Sequence, residues 1–512
     1  MRRVSTIVCR ALQRGHLRLA LPAGVALALA ACTVGPQYQR PTVQVPSAYK
    51  ELRPADFNES SGWKVAQPND AASRGKWWEV FQDPQLNALE AQVNVSNQNI
   101  AVAEARFRGA RAAIRVARAD LFPEITAGAE VSRSRSRPSG QQGAAPRTQT
   151  NYQIPIDLSY ELDVWGRVRR NVEANIANAE ASAADLETAR LSTHAALAAD
   201  YFALRGLDAE KQLLDLTVAA FERALELTLN RYNQGIASRA EVEQARTQLE
   251  STRAQAIDVG VQRAQFEHAI AILLGKPPAE FTIPHAPISA PPPAPLTVQP
   301  PAVPAGLPSE LLERRPDIAA AERRVAAANA QIGIAEAAFF PTITLSAAFG
   351  GSSTSLSDLF SWPSVVWSLG ASLAEIVFDA GRRKALTEEA QASYDATVAT
   401  YRQTVLTAFQ DVEDNLAALR ILAEEATQQE RAVKAAEAAL TLALNRYRGG
   451  VTTYLEVIIA QAAALAAETT AIEILTRRMT AAVQLIQALG GGWGGLAPYD
   501  DPTKQAQEIR HP

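Results

Sequence analysis

Two segments of this chain, 215 positions apart, carry nearly the same residues. Asn230-Arg231-Tyr232-Asn233-Gln234-Gly235-Ile236 returns as Asn445-Arg446-Tyr447-Arg448-Gly449-Gly450-Val451. The offset of 215 also relates Gly166-Arg167 to Gly381-Arg382, Glu241-Val242 to Glu456-Val457, and Leu274-Gly275 to Leu489-Gly490. Upstream, Asn99-Ile100-Ala101 matches Asp317-Ile318-Ala319, and Leu121-Phe122-Pro123 matches Phe339-Phe340-Pro341, both at 218. An offset this long and regular reads as tandem duplication of a large unit rather than a short solenoid repeat. The architecture can therefore be read twice.

Each copy contains a long uninterrupted helical stretch. Gly166 to Gly235 holds no Pro and one internal Gly, Gly206; Gly381 to Gly449 holds neither. About 68 residues at 1.5 Å each make roughly 100 Å of helix. A helix so long needs packing against other helices along its course. Val398, Tyr401, Val405, Ala408, Val412, Asn415, Leu419 and Leu422 follow a coiled-coil spacing. Long helices are expected at 166–234 and 381–449, turning at Gly235 and Gly450 into antiparallel return helices at 238–274 and 453–488.

Ahead of each long helix lies strict alternation. Tyr152, Ile154, Ile156, Leu158, Tyr160 and Leu162 alternate with Gln153, Pro155, Asp157, Ser159, Glu161 and Asp163. Residues 124–131 alternate likewise, giving a hairpin at 124–163. The second copy repeats it at 342–376, with Ile343, Leu345, Ala347 and Phe349, then Val365, Trp367, Leu369, Ala371 and Leu373. Such strands suit a membrane barrel or one face of a soluble sandwich; alternation alone leaves both open. The connections 132–149 and 350–361 are rich in Ser, Gly and Arg and read as exposed loops.

The start of the chain is a targeting segment. Arg2, Arg3, Arg10, Arg14 and Arg18 precede a short apolar run, Leu19 to Ala31, which closes on Leu29-Ala30-Ala31-Cys32. That box resembles the bacterial lipoprotein signal, which implies cleavage before Cys32 and acylation of its thiol. An ordinary signal peptide cut near Ala31 is the alternative. Cys9 would leave with residues 1–31, so no internal disulfide can form. By resemblance to lipoprotein sorting, Thr33 rather than Asp after Cys32 implies the outer membrane. Residues 32–82 read as an extended arm of low order, 83–276 as the first repeat with a helix from Asp83 to about Asp120, 277–308 as a stiff Pro-rich linker, 309–490 as the second repeat and 491–512 as a tail.

Net charge is −4, no basic block suggests nucleic acid, and no mature stretch reads as a transmembrane helix. A membrane crossing would then need a closed barrel. Four strands per chain cannot close one, so the barrel must be shared between copies.

Several segments are specific. Cys32-Thr33-Val34-Gly35-Pro36, Tyr38-Gln39-Arg40-Pro41, Trp77-Trp78 with Phe81-Gln82-Asp83-Pro84, Leu311-Leu312-Glu313-Arg314-Arg315-Pro316-Asp317-Ile318 and Ala337-Ala338-Phe339-Phe340-Pro341 resemble the outer membrane factor (TolC-like) family, in its OprM/NodT-type lipoprotein branch. The resemblance implies a mainly α protein with membrane β: a homotrimer forming a shared 12-stranded β-barrel and a 12-helix α-barrel. It implies a passive outer-membrane exit duct of a tripartite efflux system, held by lipid on Cys32 and docked end-on to a periplasmic adaptor and an inner-membrane RND-type pump. Gly235, Ile236, Gly450, Val451 and Thr452 would be the periplasmic tips that meet the adaptor. Thr452 stands where some relatives carry a charge. Glu241 and Glu456 are then candidates for a constriction, or ordinary acids at helix N-termini.

No catalytic or metal-ligating pattern is present. His194, His268, His285 and His511 have no ligand spacing to one another. No cofactor beyond the lipid is expected, and no enzyme. Two other functions share these features: a duct for type I protein secretion, and a lipid-anchored periplasmic coiled-coil scaffold without a pore.

Overall fold

The computed structural model describes residues 33–51, 75–136, 146–287, 299–301, 303 and 308–491. Residues 1–31, Cys32, the centre of the first hairpin connection, the Pro-Pro-Pro stretch of the linker and residues 492–512 lie outside the described residues.

In chain order the elements are α1 (Pro84–Ser96), α2 (Gln98–Ala119), β1 (Glu124–Ala127), β2 (Glu130–Ser136), β3 (Arg147–Glu161), α3 (Arg167–Asn233), α4 (Arg239–Leu273), α5 (Pro316–Ala337), β4 (Thr342–Ser353), β5 (Val365–Ala374), α6 (Arg382–Arg448) and α7 (Tyr454–Ala488). The protein is mostly helical with one small sheet. α3 and α6 have 67 residues each; α4 and α7 have 35 each.

Several expectations are corrected. The helix expected from Asp83 to Asp120 breaks at Asn97, whose backbone is extended. The Asn97 Oδ1 caps α2 by accepting from the Ile100 N–H at 3.0 Å, and its Nδ2 donates to Leu273 O at 2.8 Å. An Asn that satisfies both a helix start and the carbonyl end of α4 stabilises a break that propensity alone does not demand. The arm is not without order at its end: Trp77–Phe81 form a 3-10 turn with Trp77 and Trp78 buried. The strand expected at 124–131 is interrupted at Gly128, whose N–H donates to Pro155 O. The strand β4 runs on through Ser353, into the expected loop, and Leu359 beyond it is buried. Finally, α7 is long and apolar enough to span a membrane by length and composition. Its half from Ala471 onwards buries Ile472, Ile474, Leu475, Val483, Leu485 and Ile486, the pattern of a core helix.

The described parts of Met1–Thr42, Arg106–Ser182 and Ala321–Tyr401 form one compact unit; those of Val43–Ala105, Ala183–Ala320 and Arg402–Pro512 form another. The first unit holds the sheet. Its order is β1-β3-β4-β5, with β2 also on β3, all antiparallel. The two hairpins thus join through β3 and β4, from Tyr152 opposite Ser353 to Glu161 opposite Thr344. Among the described residues, β1, β2 and β5 each pair on one side only.

The second unit is a helical core around Leu86, Leu197, Leu204, Ile270, Ile318, Val412, Val483 and Ile486, each no more than 1% exposed. Polar clamps lock it. Asp208 on α3, with its side chain 1% exposed, accepts from Arg205, Arg263 on α4, His285 and the Ala286 N–H. Arg263 also donates to Ile283 O, and Arg205 to Pro284 O. The start of the linker is therefore fastened to the helices rather than free. Arg315 donates to Asp317, to Asp411 on α6 and to Ala488 O at the end of α7. A guanidinium suits that last carbonyl, at the negative end of the helix dipole.

Candidate functional site

The α3–α4 and α6–α7 turns share one geometry. The Gly235 N–H donates to Tyr232 O and the Ile236 N–H to Arg231 O; the Gly450 N–H donates to Tyr447 O and the Val451 N–H to Arg446 O. This is the Schellman closure, which needs a left-handed residue after the helix. Gly235 (φ 74°) and Gly450 (φ 75°) supply it. Among the described residues no atom lies within 4 Å of where a Cβ on either glycine would stand, so the constraint there is backbone conformation. Ile236 and Val451 project, 63% and 71% exposed. Thr452 is half-buried, with an unbonded hydroxyl.

The two candidate carboxylates differ in setting. Glu241 is half-buried and stands three residues after the N-cap Ser238, whose hydroxyl accepts from the Glu241 N–H at 3.3 Å. Glu456, in the first turn of α7, lies 3.5 Å from Arg446. Both sit where acids favour a helix start.

Between α3 and α6, just before their terminal turns, is a clasp that pattern reading missed. The Arg231 guanidinium lies over the Tyr447 ring at 4.3 Å and donates to Tyr447 O at 2.5 Å. Tyr447 is 1% exposed and packs on Tyr454, with the rings 5.3 Å apart. Ala245 and Val457 complete that cluster. The Arg-Tyr pair repeated in both copies was the available signal. The copies are not equivalent in the single chain, since Tyr232 is 42% exposed.

The sheet is two-sided. One face carries Ile125, Val131, Tyr152, Ile154, Ile156, Leu158, Phe349, Trp367, Leu369 and Leu373, by register. Much of it is open: Trp367 is 71% exposed, Leu369 76% and Ile125 65%. The other face carries Glu124, Glu130, Asp157 and Glu161 among Ser, Thr and Gly. Near its junction with the helices lie exposed Phe122 and Phe378, and Trp165 stacked on Phe340 at 4.8 Å. Thr33, the residue after Cys32, is held here. The Val34 N–H donates to Trp165 O, and Arg170 donates to Val34 O and Gly35 O. Gly35 has φ 96°, and a Cβ on it would meet Gly333 Cα at 2.4 Å.

Elsewhere, His194 is buried with its Nδ1 2.6 Å from Glu90 and Trp78 stacked on its ring. Burial pushes Glu90 up to about 9 and His194 down to about 4, with Arg190 adding to the latter. Both shifts favour a hydrogen bond between neutral groups. Among the described residues no group of His, Cys, Asp and Glu could hold a metal ion.

This arrangement matches known proteins over nearly its whole length. A family model described as outer membrane efflux protein matches residues 89–276 and 307–491. The probable efflux pump outer membrane protein SepC of Pseudomonas putida is 33% identical over 482 residues, covering 93% of this chain and 97% of that protein. The probable outer membrane lipoprotein SilC of Salmonella typhimurium is 32% identical over 470 residues, covering 91% and 96%. Among solved structures, the outer-membrane channel OprN superposes with a TM-score of 0.79 at 31% identity, covering 90% of this chain and 100% of that one.

Proposed function

Because the chain belongs to the outer membrane efflux protein family, we infer that it forms a duct whose sheet lies in the membrane and whose helical tips meet a partner. The protein is the outer-membrane exit component of an efflux system. It conducts substrates passively, with energy and selection left to a pump in the inner membrane.

The two-sided sheet carries the membrane reading. A face of Ile, Leu, Phe and Trp more than half exposed over much of its area is stable in lipid and costly in water. The opposite face, with its four carboxylates, suits a water-filled interior. Half-paired edge strands cannot stay open in lipid, so copies of the chain complete one barrel.

The bare second copy supports a ring. In α3, residues 167–182 are largely covered, with Arg170 beside Gly333 of α5 and Arg323 of α5 paired to Glu180 at 3.0 Å. The corresponding stretch of α6, residues 382–397, has no buried position, and α2, which corresponds to α5, is mostly exposed. A ring in which α6 of one chain packs on α2 of the next covers both. We take the ring as a homotrimer, with a 12-stranded barrel and a 12-helix tunnel. Its tips, Gly235-Ile236 and Gly450-Val451-Thr452, dock on a periplasmic adaptor held by an RND-type pump. Glu241 and Glu456, the acids beside those turns, are assigned to the constriction. Cys32 carries the lipid, a position supported by the fastening of Thr33 and Val34 beside Trp165.

The test is reconstitution in a planar bilayer. Purified protein should conduct ions as a detergent-stable trimer with a preference for cations, and Glu241→Gln with Glu456→Gln should weaken that preference. A water-soluble, non-conducting protein would remove the duct. Mass spectrometry of the same preparation should find an acylated N-terminal Cys32.

A further inference from the structure

On β2 the apolar face of the sheet ends in charged rather than neutral residues. Past the Val131–Tyr152 rung, β2 and β3 continue for five more rungs beyond the end of β4, which stops opposite Tyr152. On the same face as Val131 and Tyr152, the next two positions of β2 are Arg133, opposite Thr150, and Arg135, opposite Thr148. Side chains alternate between faces, so Ser132, Ser134 and Ser136 take the other side. Both arginines are exposed, and no ion pair involves either among the described residues.

Charge is segregated by face. Among the described strand residues, Glu124, Glu130, Asp157 and Glu161 all belong to the face opposite the apolar one, which carries no carboxylate. From Leu162 to Tyr152 the apolar face spans roughly 34 Å of strand, which with a tilt near 45° matches an apolar band of about 25 Å. The arginines follow at its end remote from α3. Guanidinium groups just past an apolar band, facing outward and without an acidic partner, meet the headgroup layer. There a planar fork binds phosphate in two-point fashion.

Resting on the reading that this sheet crosses the outer membrane, we propose that Arg133 and Arg135 form a binding site for the phosphate groups of anionic lipid headgroups at the outer rim of the barrel. With one such pair in each chain, the ring is fixed in depth and ordered lipid surrounds it. The occupant is lipid, because the pair continues the lipid-facing surface and lies outside the interior through which soluble anions would pass.

The experiment uses the full-length protein in detergent, with lipid A as the probe, and reads bound lipid by native mass spectrometry. Wild type should retain lipid A, and Arg133→Gln with Arg135→Gln should lower retention roughly tenfold or more. Replacement of both by Lys should restore a large part. Equal retention by wild type and the Gln variant would overturn the site. So would equal retention of lipid A stripped of its phosphates. Displacement by millimolar inorganic phosphate would overturn the lipid assignment in favour of a free anion. Heat-modifiable migration of each variant reports an intact barrel independently, so failure of the membrane reading and failure of this site give different results.

Discussion

Glycine at 235 and 450 is required by one dihedral angle. With φ near 75° and open space where a side chain would stand, a substitution costs backbone strain without steric collision. Gly450→Val should strain the turn by on the order of 1–3 kcal/mol, leaving abundance, assembly and membrane location near normal while export and adaptor pull-down fall together. Normal export by this variant would show that Gly450 merely ends a helix. The Glu90–His194 pair yields a different signature. Glu90 keeps its proton to about pH 9 when folded but only to 4.5 when unfolded, so stability from it is full below 4.5 and is lost as pH rises to about 9. His194 has a folded value of about 4 against 6.5 unfolded, so its stability is lost as pH falls from 6.5 to about 4. The trends oppose between 4.5 and 6.5, which leaves a net decline from 6.5 to about 9. Glu90→Gln, whose amide can still donate to His194 Nδ1, should flatten that decline in denaturant titrations. An unchanged slope would mean that Glu90 is ionised in the fold.

Among elements, α3 and α4 are held by the Asp208 clamp as well as by apolar packing. Burial alone would push Asp208 up, but the Ala286 N–H, Arg263 and Arg205 hold it below the usual range. Asp208→Ala would leave Arg205 and Arg263 buried without their shared carboxylate. Breaking a buried pair in this way costs about 3–5 kcal/mol, and the loss should appear as an earlier thermal loss of helical circular dichroism. A change under about 1 kcal/mol would mean that the arginines find other partners. The same clamp shows the reach of pattern reading. Pro-rich composition suggested a stiff linker from residue 277, without showing that the carbonyls of Ile283 and Pro284 accept from two arginines of the helical core. Composition carries no information on which distant carboxylate will gather those groups.

For the whole molecule, broken equivalence is the informative property. Arg231 clasps Tyr447 within one chain, while the corresponding Arg446 and Tyr232 remain 57% and 42% exposed. Closing a ring would let Arg446 of one chain clasp Tyr232 of the next. Cys placed at both positions should be joined between chains by a short bismaleimide, giving dimers and trimers on denaturing gels. Cross-linking confined to single chains would rule out this closure. If Cys32 carries the lipid as proposed, no native thiol competes in the mature chain.

What the sequence determined by itself was local and periodic. Helices expected at 166–234 and 381–449 run Arg167–Asn233 and Arg382–Arg448, because Pro, Gly and hydrophobic spacing act within a turn or two. Strand alternation similarly separates an apolar from a polar face without reference to partners, and family membership was readable from contiguous motifs such as Leu311–Ile318. Only the tertiary structure decided that the hairpins join through β3 and β4, that Asn97 breaks a helix against the end of α4, and that Arg231 and Asp208 gather distant groups. Those contacts join residues tens to hundreds of positions apart. Their free energy depends on burial and geometry created when the chain packs, and no local periodicity encodes them.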